Sequence, residues 1–339
     1  MNILRKLLFP IALIYWLVTF IRNFLYDVGF FKSQSFEIPI IAVGNLSIGG
    51  TGKSPQIEYL IRLLSDKYQV ATLSRGYKRS TTGFVLADHK ANAQTLGDEP
   101  FQFYSKYPKT IVAVDENRVD GIEILLDLDK KPNVILLDDA FQHRKVKAGF
   151  YILLTAYDDL FCDDFILPFG NLREPKIGKK RADMIIVTKC PNNIDELAQD
   201  KIKDKLKVSQ TVFFTSISYD EEVYNELGKL SVNEIKAEEK VVVAGIAKPK
   251  PFFDFLEAKV AETMVFSDHH NFEEKDIITI LNKAKNNKII TTEKDYVRLK
   301  ELVPKEQLYY LPIQSQFLND GNDFDKKILD YVEQSTRNS

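Results

Sequence analysis

Residues 47–54 read SIGGTGKS. Glycines at 49, 50 and 52 let backbone N–H groups close on phosphate oxygens. The lysine that follows reaches the outer phosphates of a nucleotide, and the next hydroxyl suits Mg2+. The pattern GxxxxGK[ST] is matched at Gly52, Lys53 and Ser54, with Ser47 in place of the first glycine. The candidate nucleotide contacts are therefore Ser47, Ile48, Gly49, Gly50, Thr51, Gly52, Lys53 and Ser54. Such a loop works with a carboxylate at the end of a neighbouring strand. The run NVILLDDAFQH supplies Asp138 as the second candidate metal ligand beside Ser54. Asp139 follows, on the opposite side of the strand or just past its end. A chance glycine-rich turn and a pair of helix N-caps are the plain alternatives. The two motifs together favour phosphate chemistry.

Three nucleoside-triphosphate machines compete. A GTPase reads guanine with [NT]KxD after a strand, but here TKCP places Pro191 where the aspartate belongs. A membrane-attached positioning or regulatory ATPase carries an extra lysine just before the paired glycines, and here that position is Ile48. A small-molecule kinase needs a base near an acceptor hydroxyl. TLGDEPFQF offers Asp98 and Glu99 ahead of Pro100, although acids followed by proline also make an ordinary helix start. The chain holds four histidines, two of them adjacent in SDHHNF, which is either a solvated loop or a group held by a carboxylate to tune a catalytic acid.

The elements that must position these residues are legible in the hydropathy. Short, almost wholly apolar runs at 40–45, 70–75, 110–115, 133–139, 150–155, 184–189 and 212–217 alternate with amphipathic stretches such as 56–68 and 117–129. That alternation predicts an α/β fold: a doubly wound, mostly parallel sheet of the P-loop NTPase type, covered on both faces. Residues 218–240 are polar and poor in periodicity and are expected to be a linker between a core domain, 33–217, and a smaller C-terminal α/β domain, 241–339.

Residues 1–32 form a third part. The run 7–21, LLFPIALIYWLVTFI, has Thr19 as its one polar residue and is flanked by Arg5, Lys6 and Arg22. Bulky aromatics follow where a signal peptide would show small residues, so no cleavable leader is expected. Fifteen helical residues span only about 22 Å, short of the roughly 30 Å hydrocarbon core. A helix embedded in one leaflet, with its positive flank toward anionic lipid, is the expectation; a buried first helix of the globular domain is the alternative.

Composition bounds the rest. The chain has 339 residues, 45% hydrophobic and 28% charged, which excludes a disordered or low-complexity scaffold. A net charge of -2 is far from the basic balance of a nucleic-acid binder, so no nucleic-acid partner is expected, and no obligate protein partner is evident. Two cysteines make no disulfide framework.

The set GNLSIGGTGKS, LGDEPFQ, DDAFQHR, GNLREP, SDHHNF and TTEKD, in this order, resembles the tetraacyldisaccharide 4'-kinase family, the lipid A 4'-kinases of Gram-negative bacteria. The resemblance covers nearly the whole chain. It implies transfer of the ATP γ-phosphate, with Mg2+, to the 4'-hydroxyl of a tetraacylated glucosamine disaccharide 1-phosphate to give lipid IVA. It also implies work at the cytoplasmic face of the bacterial inner membrane, against the membrane surface. By the same resemblance Asp98 is the base, His269 its partner, Asp138 and Asp139 the paired acids, and Arg173 and Glu174 active-site participants. Gln142 and His143 lie in the same loop, and Lys294 and Asp295 are structural or line the cleft. Lys176, Lys179, Lys180 and Arg181, just after LREP, would meet the substrate phosphate or anionic lipid, or form a solvated basic face.

Overall fold

The structure, a computed structural model, describes residues 5, 7–268 and 270–337. The chain divides into two compact units: Met1–Ile217 with Ser315–Ser339, and Ser218–Gln314.

The first unit is built on a nine-stranded sheet. Its strands are β1 (Ile40–Asn45), β2 (Val70–Ser74), β3 (Val85–Leu86), β4 (Ile111–Val114), β5 (Val134–Asp138), β6 (Phe150–Ala156), β7 (Met184–Thr188) and β8 (Thr211–Tyr219), with β15 (Ile313–Phe317) added late in the chain. The order across the sheet is β15-β8-β7-β6-β1-β5-β2-β4-β3. β1 runs parallel to both neighbours, with Val43 level with Asp138 on one side and Ile152 on the other. Every residue of β1 and β5 is buried, which is why those runs lack the alternation of a half-exposed strand. Helices α1 (Phe9–Asp27), α2 (Lys53–Leu64), α3 (Asp98–Lys106), α4 (Arg118–Leu126) and α5 (Glu196–Leu206) belong to this unit. Ile57, Leu60, Ile61 and Leu64 of α2 recur at helical spacing and pack with Ile41 and Val43 of β1 in one core cluster.

The second unit holds a six-stranded sheet in the order β10-β9-β14-β13-β11-β12. It is formed by β9 (Glu222–Asn225), β10 (Gly228–Ser231), β11 (Lys240–Ala244), β12 (Val260–Val265), β13 (Lys288–Thr292) and β14 (Leu308–Leu311). Helices α6 (Val232–Ala237) and α7 (Glu274–Ala284) accompany it.

Two expected boundaries are corrected. Residues 218–240 are not a linker: they hold the end of β8, the β9–β10 hairpin and α6. The hairpin sits at the sheet edge and buries only Val223 fully, so it shows none of the hydrophobic patterning of a covered strand. Nor does the second unit run to the C-terminus. From Ser315 the chain rejoins the first unit, and helix α8 (Gly321–Arg337) places Phe324, Ile328 and Val332 in the β1 core cluster.

Helix α1 buries only Ala12, Thr19 and Asn23. These lie at i, i+7 and i+11, a single stripe, while Ile14, Val18 and Phe24 remain more than half exposed. The alternative of a buried first helix is therefore overturned.

Candidate active site

The phosphate-binding loop leaves the C-terminal end of β1 and enters α2 at Lys53. Gly49 and Gly52 take φ of 117° and 81°, the left-handed region that glycine reaches without strain. Two neighbours brace the loop. The Thr188 hydroxyl, at the end of β7, donates to the Thr51 carbonyl at 2.8 Å, and Lys189 Nζ reaches the Gly50 carbonyl at 2.5 Å. On the other flank Ser47 bridges Leu172, with the Ile48 amide donating to the Asn171 carbonyl and the Arg173 amide to that of Leu46, each at 2.7 Å.

β5 ends beside this loop in the two expected acids. Asp138 is buried, and its Oδ1 has no hydrogen-bond partner. Burial, then the nearby Glu99 carboxylate, push its pKa up to about 7, against the pull of Lys53. Asp139 falls just past the strand with φ 50°, a left-handed conformation that aspartate tolerates. Lys53 Nζ lies 3.7 Å from Asp139 Oδ1. Burial works to raise the Asp139 pKa, but the Arg173 hydrogen bonds and the Lys53 charge outweigh it and hold the carboxyl below its ordinary range.

Ser54 Oγ donates to Glu99 Oε1 at 2.5 Å, which brings the first turn of α3 against the phosphate loop. Asp98 opens that turn, behind Gly97. The site therefore gathers Lys53, Ser54, Asp138, Asp139 and the Asp98–Glu99 turn. Glu99 is the residue whose part the sequence concealed: DEP reads as a helix start, and nothing in its spacing ties it to a serine 45 positions away. Among the described residues no three His, Cys, Asp or Glu side chains are arranged to hold a metal. The orphaned buried Asp138 oxygen and the Ser54 hydroxyl nevertheless suit a hard cation completed by phosphate oxygens.

Arg173 and Glu174 sit on the segment paired with the phosphate loop. Arg173 donates to both Asp139 oxygens, Nη1 to Oδ2 at 3.0 Å and Nη2 to Oδ1 at 2.7 Å, and also to Asn45 Oδ1 and the Ser47 carbonyl. Glu174 is buried with both oxygens engaged, by Arg181 at 2.8 and 2.9 Å, Asn23 at 2.7 Å and Gln142 at 2.9 Å. Arg181 is thereby a structural cation rather than part of a solvated basic face. His143 is pressed down to about 4 by burial and by the surrounding charges of Arg118, Lys145, Arg22 and Arg75, so it is neutral at pH 7.

Helix α1, and Arg5 ahead of it, are hydrogen-bonded to the same segments. Arg5 donates to Asn171 Oδ1 at 2.9 Å, Tyr15 to the Arg173 carbonyl at 3.0 Å and Arg22 to the Gln142 carbonyl at 2.7 Å. Arg144 donates to the Asn23 carbonyl at 2.9 Å and pairs with Asp27 at 2.7 Å.

In the second unit, His269 lies outside the described residues. His270 is committed locally: its Nε2 is 2.9 Å from Asp276 Oδ2, and its ring lies 4.9 Å from Phe266 and 5.1 Å from Phe272. Asp295 is fully buried, accepting from the Gly245 amide at 2.8 Å and the Thr292 hydroxyl at 2.7 Å. It ties the end of β13 to the turn after β11.

The chain is similar over nearly its whole length to proteins of one family. The family model for tetraacyldisaccharide-1-P 4'-kinase, LpxK, matches residues 4–333. The tetraacyldisaccharide 4'-kinase of Flavobacterium johnsoniae is 61% identical over 99% of both chains. That of Flavobacterium psychrophilum is 62% identical over 100% of both. Among solved structures, LpxK from Aquifex aeolicus in complex with ATP superposes with a TM-score of 0.80 at 29% identity, covering 97% of this chain and 100% of that one.

Proposed function

The chain belongs to the tetraacyldisaccharide-1-P 4'-kinase family, and from that premise we propose how its residues share the reaction. The protein is an ATP-dependent kinase of lipid A biosynthesis. It moves the γ-phosphate of ATP to the 4'-hydroxyl of a tetraacylated glucosamine disaccharide 1-phosphate, giving lipid IVA. The reading as a positioning or regulatory ATPase is set aside with it.

The nucleotide phosphates bind over 47–54, where Gly49 and Gly52 take left-handed conformations and Lys53 supplies positive charge. Ser54 and Asp138 would hold Mg2+, which would supply positive charge against the nucleotide phosphates. Asp98 accepts the proton of the 4'-hydroxyl as that oxygen bonds to the γ-phosphorus; the bond from phosphorus to the β–γ bridging oxygen breaks and ADP leaves. His269 is the second catalytic group, on the strength of the DHH resemblance. Arg173 fixes Asp139, and Asp139 in turn sets the position of Lys53. Glu174 acts as the buried anchor of the Arg173 segment, with no free oxygen for proton transfer.

The membrane surface is the second partner in this reading. Helix α1 is bonded to the core at Tyr15, Arg22, Asn23 and Asp27, over about 18 Å at 1.5 Å per residue, and Arg5 ahead of the helix is bonded to Asn171. A helix tied along its length to polar loops would drag those loops into hydrocarbon if it crossed the bilayer. We therefore place it in the plane of one leaflet, on the cytoplasmic face of the inner membrane, with its apolar side in the lipid. That suits a substrate whose acyl chains resist extraction by about 0.8 kcal/mol per buried CH2.

The convergence of Lys53, Ser54, Asp138 and Asp139 at the ends of β1 and β5, in a chain matched nearly end to end by the family, carries this reading. The test is incubation of the purified protein with Mg2+, γ-labelled ATP and the disaccharide 1-phosphate in detergent. Label should appear at the 4'-position. Label recovered only as free phosphate would overturn it.

A further inference from the structure

Beyond helix α1, the first unit exposes a second apolar group. Phe165 is 54% exposed and Ile177 49%, and the two are linked through Lys176, the residue before Ile177, whose Nζ lies against the Phe165 ring. They are not loose. The Leu172 amide donates to the Phe165 carbonyl, that of Leu167 to Leu172, and that of Gly170 to Ile166, each at 2.9 Å. A Cβ on Gly170 would lie 2.1 Å from the Phe165 carbonyl oxygen, so the turn closes only with glycine there. The loop 165–172 is thus a rigid platform holding Phe165 outward.

Two features say what covers it. First, the platform is continuous with helix α1: the Phe165 ring stacks edge-on with Phe169 at 5.1 Å, and Phe169 with Phe9 of α1 at 5.6 Å. Second, cations rim it. Lys176 Nζ sits 5.5 Å from the Phe165 ring centroid while donating to the Cys162 carbonyl at 2.7 Å, and Lys180 is exposed on the same short turn as Ile177. The acids of this stretch are engaged: Asp164 accepts the Phe165 and Asn171 amides of the loop itself, and Asp163 pairs with Lys205 at 2.6 Å. An apolar tip ringed by lysines matches the boundary between acyl chains and anionic headgroups.

We propose that Phe165 and Ile177, rimmed by Lys176 and Lys180, form a second insertion point for an anionic phospholipid bilayer, rigidly coupled to the phosphate loop. The inference rests on the in-plane reading of α1 and adds to it. One helix fixes a line on the membrane and leaves the domain free to roll about it; a second point fixes the tilt. The coupling is short, because Leu172 of the same loop bridges Ser47 and Arg173 follows it.

The sole tryptophan, Trp16, lies on α1 and reports on the helix. The double variant Trp16→Phe, Phe165→Trp moves that reporter to the platform, where the native ring is already exposed. Both full-length proteins are mixed with phosphatidylcholine vesicles, with and without phosphatidylglycerol, carrying acyl chains brominated near the headgroup. The platform tryptophan should shift to the blue and be quenched as Trp16 is, more strongly when phosphatidylglycerol is present. Quenching of Trp16 without quenching at the platform overturns the inference and leaves the helix reading intact. Quenching at neither position overturns both. Equal quenching with and without phosphatidylglycerol overturns the role given to Lys176 and Lys180. In a second measurement, Phe165→Asp with Ile177→Asp should lower co-sedimentation with the anionic vesicles by about tenfold, with the thermal midpoint unchanged. Undiminished sedimentation of the folded variant overturns the proposal.

Discussion

Arg173 grips Asp139 with both terminal nitrogens, at 3.0 and 2.7 Å, in the planar fork that only a guanidinium offers a carboxylate. The same Asp139 oxygen that receives the shorter of these bonds lies 3.7 Å from Lys53 Nζ. The lysine of the phosphate loop is thus positioned from a segment more than a hundred residues away. Charge alone at position 173 would not reproduce this.

Arg173→Lys should accordingly be nearly as damaging as Arg173→Ala. Both should lower kcat/KM by about 10²–10³-fold, the cost of one mispositioned electrostatic group in a phosphoryl-transfer site. Steady-state kinetics of the two variants decides the matter: near-native turnover by Arg173→Lys would show that the fork is dispensable.

Asp98→Asn should lower kcat by about 10²–10⁴-fold, the usual worth of a positioned general base. Nucleotide affinity should stay native, because the phosphate loop and Lys53 are untouched. Calorimetric titration with ATP beside a turnover assay measures both halves.

Asp138 holds its proton more tightly in the folded protein than in the unfolded chain, because burial and Glu99 raise its pKa. The folded state then binds more protons than the unfolded one, so stability falls as pH rises through the carboxylate range towards neutrality. Asp138→Asn should flatten that part of the curve and raise the thermal midpoint of the nucleotide-free protein at neutral pH by about 2–4 °C per kcal/mol recovered. It should also abolish Mg2+-dependent turnover. Midpoints measured against pH for both proteins give the test; parallel curves would refute the assignment.

Glu174→Ala should act on stability before chemistry. It leaves Arg181 and Asn23 facing a vacated buried site, a loss of about 3–5 kcal/mol for breaking a buried pair on one side. Denaturant unfolding quantifies it. A fully stable but inactive Glu174→Ala protein would instead make Glu174 a participant in proton transfer.

Deleting residues 1–28 should do more than weaken membrane binding. It removes the bonds from Tyr15 to the Arg173 carbonyl and from Asn23 to Glu174, so kcat in detergent should fall as well as KM rise on vesicles. A kcat equal to that of the full chain would show that the helix is only an anchor.

Much of this is legible in the sequence. The phosphate loop, the β5 carboxylates and the covered parallel strands announce themselves because each rests on local chain chemistry: glycine conformations, a Lys–Ser pair, an apolar run ending in acid. What stayed hidden depends on tertiary pairing. The Ser54–Glu99 bond and the Arg173 fork join distant segments, and no periodicity encodes them. The β9–β10 hairpin reads as a linker because an edge hairpin with one fully buried residue has no pattern to show. The expected domain 241–339 takes in residues 315–339 for a related reason: the Phe324, Ile328 and Val332 stripe of α8 marks a buried face but not which core receives it.

That last feature bears on how the molecule is made. The strand from which the phosphate loop springs shares its core with α8, which lies more than 250 residues further along the chain. A nascent polypeptide emerging from the ribosome carries every catalytic side chain well before it carries the piece that closes their scaffold. Domains ordinarily mature in the order of their synthesis; here the nucleotide-binding unit closes only once α8 has been made, and all of the inserted unit, Ser218–Gln314, precedes that helix in the chain.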